Sequence, residues 1–218
     1  MLSIDILESE RELQSLIMNA FLEEVNPAFE KKRGYIKRTI QEIIIAGLQE
    51  TQEYQDLTTG ILKVEFGFMF GRETDIIDPI IEKIAQNIEL IFTKFEYTKS
   101  GTISGGFQLS MLQADFSDIF ALPEAITEPG DYGFESIPWL KWYLTKGGQA
   151  VIANYGIMYG EFPENSRSGF AVMLQDFGPY IVPGDNSESD NWLTRFFTSN
   201  NFQLAVQTVF NESIEGNT

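Results

Sequence analysis

Apolar residues recur at helical spacing through the first 50 residues of the chain. They lie three or four positions apart on either side of a proline, at Leu13, Leu16, Ile17, Ala20, Phe21 and Val25, and then at Phe29, Ile36, Ile40, Ile43, Ile44 and Leu48. This spacing is typical of a helix with one apolar face. Asn26-Pro27 is typical of a helix start, because proline is tolerated in a first turn. The pattern therefore predicts two helices, or one kinked helix, over residues 10–50.

The middle of the chain changes period twice. In segment 61–68 apolar residues alternate with Lys63, Glu65 and Gly67, which predicts a half-buried strand. Segment 76–92 returns to helical spacing, and we expect a buried face that presents Ile80, Ile84, Ile88 and Ile91 to a sheet. Isoleucine is a poor helix former, so tertiary burial must stabilise this helix. Asp78-Pro79 suits its first turn.

The remaining segments alternate between strand-like and helix-like patterns. Residues 95–119 favour strands, with glycines at 101, 105 and 106 in a turn or bulge, and residues 123–133 favour a loop. Further predictions are a helix at 137–144, strands at 150–159, 169–175 and 180–182, and helices at 192–197 and 202–214. The order predicts an α+β fold with N-terminal helices, a mostly antiparallel sheet, and helices packed on it and at the C-terminus. We expect a single domain, 1–218, with a helical N-terminal part, 1–50.

Two absences restrict the chemistry. The chain has no histidine and no cysteine, which excludes serine–histidine and cysteine–histidine catalysis, disulfides and thiolate ligands. Apolar residues make up 43% and charged residues 22%, as in globular proteins. The sequence therefore predicts no cofactor, no tightly bound transition metal and no catalytic residue.

Charge is strongly negative and unevenly distributed. The formal net charge of −17 disfavours binding to nucleic acids and to anionic membranes. We expect no signal peptide, and no apolar run of the sequence is long enough to span a membrane. Nevertheless, five of the eight residues in segment 31–38 are basic, whereas the chain after Lys146 contains two basic and eight acidic residues. The candidate inter-subunit contacts are Lys31, Lys32, Arg33, Lys37, Arg38, Arg167 and Arg195.

Each candidate has an alternative interpretation. The basic segment is either a solvated helix face or a contact with an acidic partner, including another copy of the chain. Arg167 either binds a phosphate or carboxylate or pairs locally. The acidic loops, with Asp185, Glu188 and Asp190 and with Glu128, Asp131 and Glu135, are either solvated or a hard-metal or carboxylate site.

A second functional class stays open. A glycan hydrolase needs two carboxylates across a cleft, and these need not be close in sequence. Aromatic residues could line such a sugar site or belong to the core, namely Trp139, Trp142, Tyr143, Tyr155, Tyr159 and Trp192. The glycine-rich segment 101–106 lacks the GK[ST] motif of a phosphate-binding loop, and a bent strand is favoured.

Several short segments resemble a family of virion proteins. Segment 56–67, DLTTGILKVEFG, follows charged helices and resembles the (S/T)-G-x-L segment of tailed-bacteriophage neck and tail-completion proteins. Further similar segments are WLKWYLTKG at 139–147, VIANY at 151–155, SRSGFAVM at 166–173, VP at 182–183 and DNWLTR at 190–195.

The resemblance implies a structural protein at the head–tail junction or the top of the tail. Such a protein would form a ring of six or twelve copies, contact neighbouring virion proteins, and meet DNA only as passing cargo. It would lie in the virion after assembly in the host cytoplasm, with no membrane partner and no catalytic residue. Segment 95–135 has no counterpart in the family and is expected to be an insertion or an extended β/loop segment.

Overall fold

The N-terminal third is one long helix. The computed structural model describes residues 9–69, 71–110, 116–127, 136–162, 164 and 166–215. Helix α1, Glu10–Gln49, begins with a capping box in which Ser9 accepts from the Glu12 backbone and the Glu12 side chain binds back to Ser9. It continues through Pro27, so of the two predicted alternatives the single helix is confirmed, and a helix start at Asn26-Pro27 is wrong. The side chain of Asn26 binds another segment instead of capping a helix.

The predicted strand at 61–68 is wrong. The chain forms two short helices there, α2, Gln52–Thr58, and α3, Leu62–Glu65, followed by a turn. Leu62 and Phe66 are both buried, and their separation of four residues fits one helical turn as well as the period of a strand. Lys63, expected on a solvated strand face, instead lies 3.2 Å from Glu73 in an ion pair.

The isoleucine-rich segment divides between a helix and a strand. Helix α4, Glu73–Gln86, buries Ile77, Ile80, Ile81 and Ile84, which confirms a helix with a buried apolar face. The helix contacts mainly other helices, including α1 and α2, so the predicted packing on a sheet is wrong. It begins at Glu73, so Pro79 lies beyond the predicted first turn. Its predicted extension to residue 92 is wrong, because strand β1, Glu89–Tyr97, begins three residues after the helix ends. Consequently Ile91 lies on the strand and is 42% exposed.

Strand β1 forms an antiparallel hairpin with β2, Ile103–Ser110. The register shifts between Thr93 and Glu96, opposite Gly105. A Cβ on Gly105 would lie 2.4 Å from the Lys94 carbonyl oxygen, and its φ of +115° also favours glycine. The structure therefore confirms a glycine-dependent bulge, with Gly101 in the connecting turn at φ +82°.

The C-terminal half follows the predicted order of elements with two exceptions. Residues 117–119, predicted as strand, are helical, and the predicted strand at 150–159 divides into two strands with different partners. Helix α5, Ser117–Phe120, and a 3₁₀ turn, Pro123–Ala125, precede helix α6, Trp139–Thr145. The remaining elements are β3 (Ala150–Ile152), β4 (Tyr155–Tyr159), β5 (Ala171–Gln175), β6 (Tyr180–Ile181), α7 (Trp192–Thr198) and α8 (Asn200–Glu215). Of the predicted segment 95–135, residues 111–115 and 128–135 lie outside the described residues.

The chain is an α+β protein with antiparallel pairing throughout its described strands. Strand β3 pairs with β6, and β4 pairs with β5, so the described strands form three two-stranded sheets rather than one continuous sheet. The buried apolar side chains join into one cluster that runs from Ile36 to Val209. Helices α1, α4, α6 and α7 supply most of its largest buried side chains.

The buried face of α4 generates a stability prediction. Ile84 is 1% exposed within the core, so replacing it by alanine removes buried methyl groups and leaves a cavity. We expect Ile84→Ala to lower the free energy of unfolding by about 2–5 kcal/mol in urea denaturation. Glu82→Ala, at an exposed position of the same helix, should change it by less than about 0.5 kcal/mol. Equal effects of the two variants would contradict this packing.

Candidate interaction surface

The N-terminal half of α1 packs along the β1–β2 hairpin. Three α1 side chains donate hydrogen bonds to backbone carbonyls of β1 and its turn: Arg11 to Lys99, Asn26 to Phe95 and Arg33 to Leu90. The order of these contacts shows that helix and strand run in opposite directions. We call residues 9–35 together with β1 and β2 the arm.

Asn26 completes the bulge of β1. Its amide nitrogen donates to the Phe95 carbonyl at 3.0 Å, and its side-chain oxygen accepts from the Phe95 N–H at 2.8 Å. A bulged residue loses its ladder partner, so these bonds satisfy backbone groups that would otherwise lack protein partners. Asn26 therefore holds α1 and the hairpin in one register.

Five phenylalanine rings join the arm to the C-terminal helix. Their centroids lie 4.9–6.1 Å apart in successive contacts. The rings belong to Phe29, Phe92, Phe95, Phe107 and Phe210. Such ring contacts stabilise beyond the area they bury, so the base of the arm is firmly attached to α8.

The side of α1 opposite the core is exposed along most of its length. The buried residues of α1 lie on one side, at Leu22, Ile36, Ile40, Ile44 and Leu48. The opposite side, which we call the outward face, consists of Leu16, Ile17, Ala20, Phe21, Glu24, Pro27, Lys31, Gly34, Tyr35 and Arg38, all of them exposed. At 100° per residue these ten positions form one continuous stripe.

The outward face exposes large apolar side chains. Ile17 is 68% exposed, Leu16 59%, and Phe21 and Tyr35 56% each. Single exposed apolar residues are common on protein surfaces, whereas a larger apolar patch marks an interaction site. Glu24 and Lys31 lie in the middle of the outward face and Arg38 at its C-terminal end, so the face combines apolar area with charges of both signs.

The basic segment divides into structural and exposed side chains. Lys32 Nζ donates to the Ser213 carbonyl at 2.7 Å near the C-terminal end of α8. The helix dipole stabilises a positive charge at that end. Arg33 donates to Leu90 at 2.9 Å and lies 3.6 Å from Glu30. Lys37 is half-buried. Only Lys31 and Arg38 of the five belong to the outward face.

Arg195 stabilises the fold internally. Its guanidinium lies 3.1 Å from carboxylate oxygens of both Glu53 and Asp190, and 2.7 Å from the Asn186 side-chain oxygen. Burial opposes its charge, but the two carboxylates outweigh burial and raise the pKa of Arg195. Arg195 therefore ties α7 to α2, and the structure does not join it to the basic segment.

The remaining residues predicted as possible binding sites are exposed where the structure describes them. Arg167 is exposed in the turn that Ser166 and Gly169 close, and Asp185 and Glu188 are exposed. Glu128, Asp131 and Glu135 lie outside the described residues. Among the residues that the structure describes, no group of three or more aspartate or glutamate side chains could hold a metal ion.

Three of the aromatic residues considered for a sugar site are buried in the core. Trp139, Tyr143 and Trp192 are at most 3% exposed and belong to the core. Trp139 donates to the Glu124 carbonyl at 2.7 Å, and Trp192 donates to the Thr51 hydroxyl at 2.9 Å. These three rings therefore do not line a cleft. Tyr159 is 50% exposed and donates to Glu65.

None of the described helices combines the length and the apolar character that crossing a bilayer requires.

Two residues of the outward face were missed at the level of sequence. Glu24 lies seven residues before Lys31, and Tyr35 lies four residues after it. Both spacings place side chains on the same side of a helix as Lys31. The signal was therefore present, but it required knowing that α1 is continuous through Pro27.

No family model, curated protein or solved structure matches this chain. Membership of the phage neck and tail-completion family therefore stays a prediction, and the outward face is the feature from which a function can be inferred.

The Asn26 contact generates a second stability prediction. Asn26→Ala leaves the N–H and C=O of Phe95 without their side-chain partner, so we expect a loss of about 1–3 kcal/mol in the free energy of unfolding. Asn19→Ala is the matched control, because Asn19 is exposed and makes only a 3.5 Å contact with Ser15. Urea denaturation measures both, and a neutral Asn26→Ala would show that the bulge needs no support from α1.

Proposed function

We propose that this chain is a non-enzymatic assembly protein that binds other protein subunits through the outward face of α1. The observation that carries the proposal is the exposed stripe from Leu16 to Arg38, which no element of the described fold covers. Its aromatic and arginine side chains are of the types enriched in the centres of protein interfaces.

The charge of the molecule favours a protein partner over the other classes. A net charge of −17 repels phosphate backbones and anionic lipid surfaces. Lys31 and Arg38 are two cations beside apolar area, too few to offset that repulsion. A protein surface with apolar residues and at least one carboxylate fits the stripe better.

The resemblance of segments between 56 and 195 favours a place in a tailed-phage virion. There the chain would join or form a ring at the head–tail junction or the top of the tail, with itself and neighbouring virion proteins as partners. Such a subunit would be assembled in the host cytoplasm, and DNA would pass it without a specific contact.

The virion role has a direct test. If a tailed phage encodes this chain, particles purified from cells infected with that phage should contain it at a fixed ratio to the other structural proteins. Quantitative mass spectrometry measures this ratio. A chain that is expressed in those cells but absent from purified particles would contradict the virion role.

The outward face is tested by reversing only its exposed cations. Lys31→Glu with Arg38→Glu should lower incorporation of the chain at least about tenfold, since opposite charges guide assembly and like charges oppose it. The matched control is Lys99→Glu with Lys141→Glu, which makes the same charge change at exposed positions elsewhere. Reversal of Lys32 or Arg33 would not serve, because their internal hydrogen bonds couple charge to folding. Equal incorporation of both variants would contradict the assignment.

A further inference from the structure

The outward face of α1 is complementary to itself when a second copy runs in the opposite direction. Glu24 lies three residues before Pro27, and Lys31 lies three residues after Ala28. An antiparallel pair of α1 helices that cross at Pro27-Ala28 therefore places each Glu24 opposite the Lys31 of the other copy. Both side chains lie within about 20° of the centre of the stripe.

These two charges are free to meet a second molecule. They are seven residues apart, two turns or about 10 Å along the helix, which exceeds the reach of an intrahelical ion pair. Among the described contacts neither side chain forms an ion pair with another residue.

The apolar positions match in the same arrangement. Phe21 of one copy lies opposite Gly34 and Tyr35 of the other, and a Cβ built on Gly34 would meet nothing within 4 Å. The phenyl ring therefore has room beside Gly34 and can stack on the Tyr35 ring. Further along, Ile17 lies opposite Arg38, whose methylene groups can cover an apolar side chain while its head stays in water.

The rest of the molecule leaves room for this contact. The hairpin and the core both contact the opposite side of α1, at Asn26 and Arg33 and at the buried residues from Ile36 to Leu48. Helix α8 contacts the flank of α1 through Lys32, about 100° around the helix from Lys31. Two copies joined at their outward faces thus keep their bodies on opposite sides of the helix pair.

The size of the contact sets its strength. Residues 16–38 span about 35 Å of helix, so a stripe about 10 Å wide covers about 350 Å² on each copy and about 700 Å² in total. Specific interfaces usually bury at least about 1,000 Å². The contact is therefore a weak one, to be sought at protein concentrations on the order of 1–100 μM and above.

We propose that a second copy of this chain occupies the outward face, with the two α1 helices antiparallel about a two-fold axis at Pro27-Ala28. This inference rests on the proposed assembly function and specifies its partner. A two-fold contact pairs subunits or stacks two rings face to face, whereas closing a ring requires a different, heterologous surface.

A reciprocal charge exchange tests the register. Glu24→Lys and Lys31→Glu each place like charges opposite each other at both ends of the contact, and each should weaken dimerisation at least about fivefold in sedimentation equilibrium. The double variant restores two opposite-charge pairs and should return to within about threefold of wild type. Glu82→Lys and Lys141→Glu, at exposed positions of α4 and α6, should leave dimerisation unchanged.

Cross-linking tests the two-fold axis independently. The chain has no cysteine, so Ala28→Cys provides a single thiol per copy. A short bis-maleimide reagent should convert this variant into a covalent dimer in high yield, while Glu82→Cys on α4 should stay largely monomeric.

The outcomes separate this inference from the function on which it rests. Failure of the double charge exchange to restore dimers, equal cross-linking at 28 and 82, or a strictly monomeric wild type would overturn the antiparallel pair. The proposed function is tested separately by the Lys31→Glu, Arg38→Glu variant. If the antiparallel pair fails but this variant is still lost from particles, the outward face binds a different protein partner.

Discussion

The packing of one stripe of α1 into the core determines how the rest of the molecule is arranged. Ile36, Ile40, Ile44 and Leu48 are completely buried, and they lie at four-residue intervals on one side of the helix. Burial of such side chains contributes about 1.5–3 kcal/mol each, so this side of α1 cannot rotate away from the core. Since α1 is one continuous helix, fixing its C-terminal half also fixes which side of its N-terminal half faces outward.

Because α1 is long, its N-terminal half projects beyond the core as part of the arm. Forty residues of helix span about 60 Å, and the core cluster begins only at Ile36, so the N-terminal half extends beyond the core. A two-stranded hairpin is marginally stable by itself in water. The backbone contacts of Asn26 and the rings around Phe29 attach the hairpin to the helix, and both elements gain a partner. The outward face is thereby presented on a supported helix.

Elements whose residues contact near neighbours in sequence could be predicted, whereas those that depend on distant residues could not. The helices near Trp139 and Trp192 were predicted because their apolar spacing is local and flanking glycines and polar residues limit them. The strand at 61–68 failed because two buried residues four apart satisfy both periods. The helix at 76–92 was extended too far, because Ile88 keeps the helical spacing after the backbone has left the helix.

The candidate site was predictable only in part, for the same reason. The basic segment was recognised from sequence, and Lys31 and Arg38 do lie exposed. Lys32 and Arg33 could not be separated from them, since their partners Ser213 and Leu90 are 181 and 57 residues away. Glu24 gained meaning only once α1 was known to be continuous and its outward side was defined.

Sedimentation equilibrium of the wild-type chain over a range of concentrations measures whether two copies associate. At about 0.15 M salt, where repulsion between two copies of net charge −17 is screened beyond about 8 Å, the average mass should rise from the 24.7 kDa monomer toward a dimer across the micromolar range. A mass that stays at 24.7 kDa up to several hundred micromolar at that salt concentration would contradict the antiparallel pair.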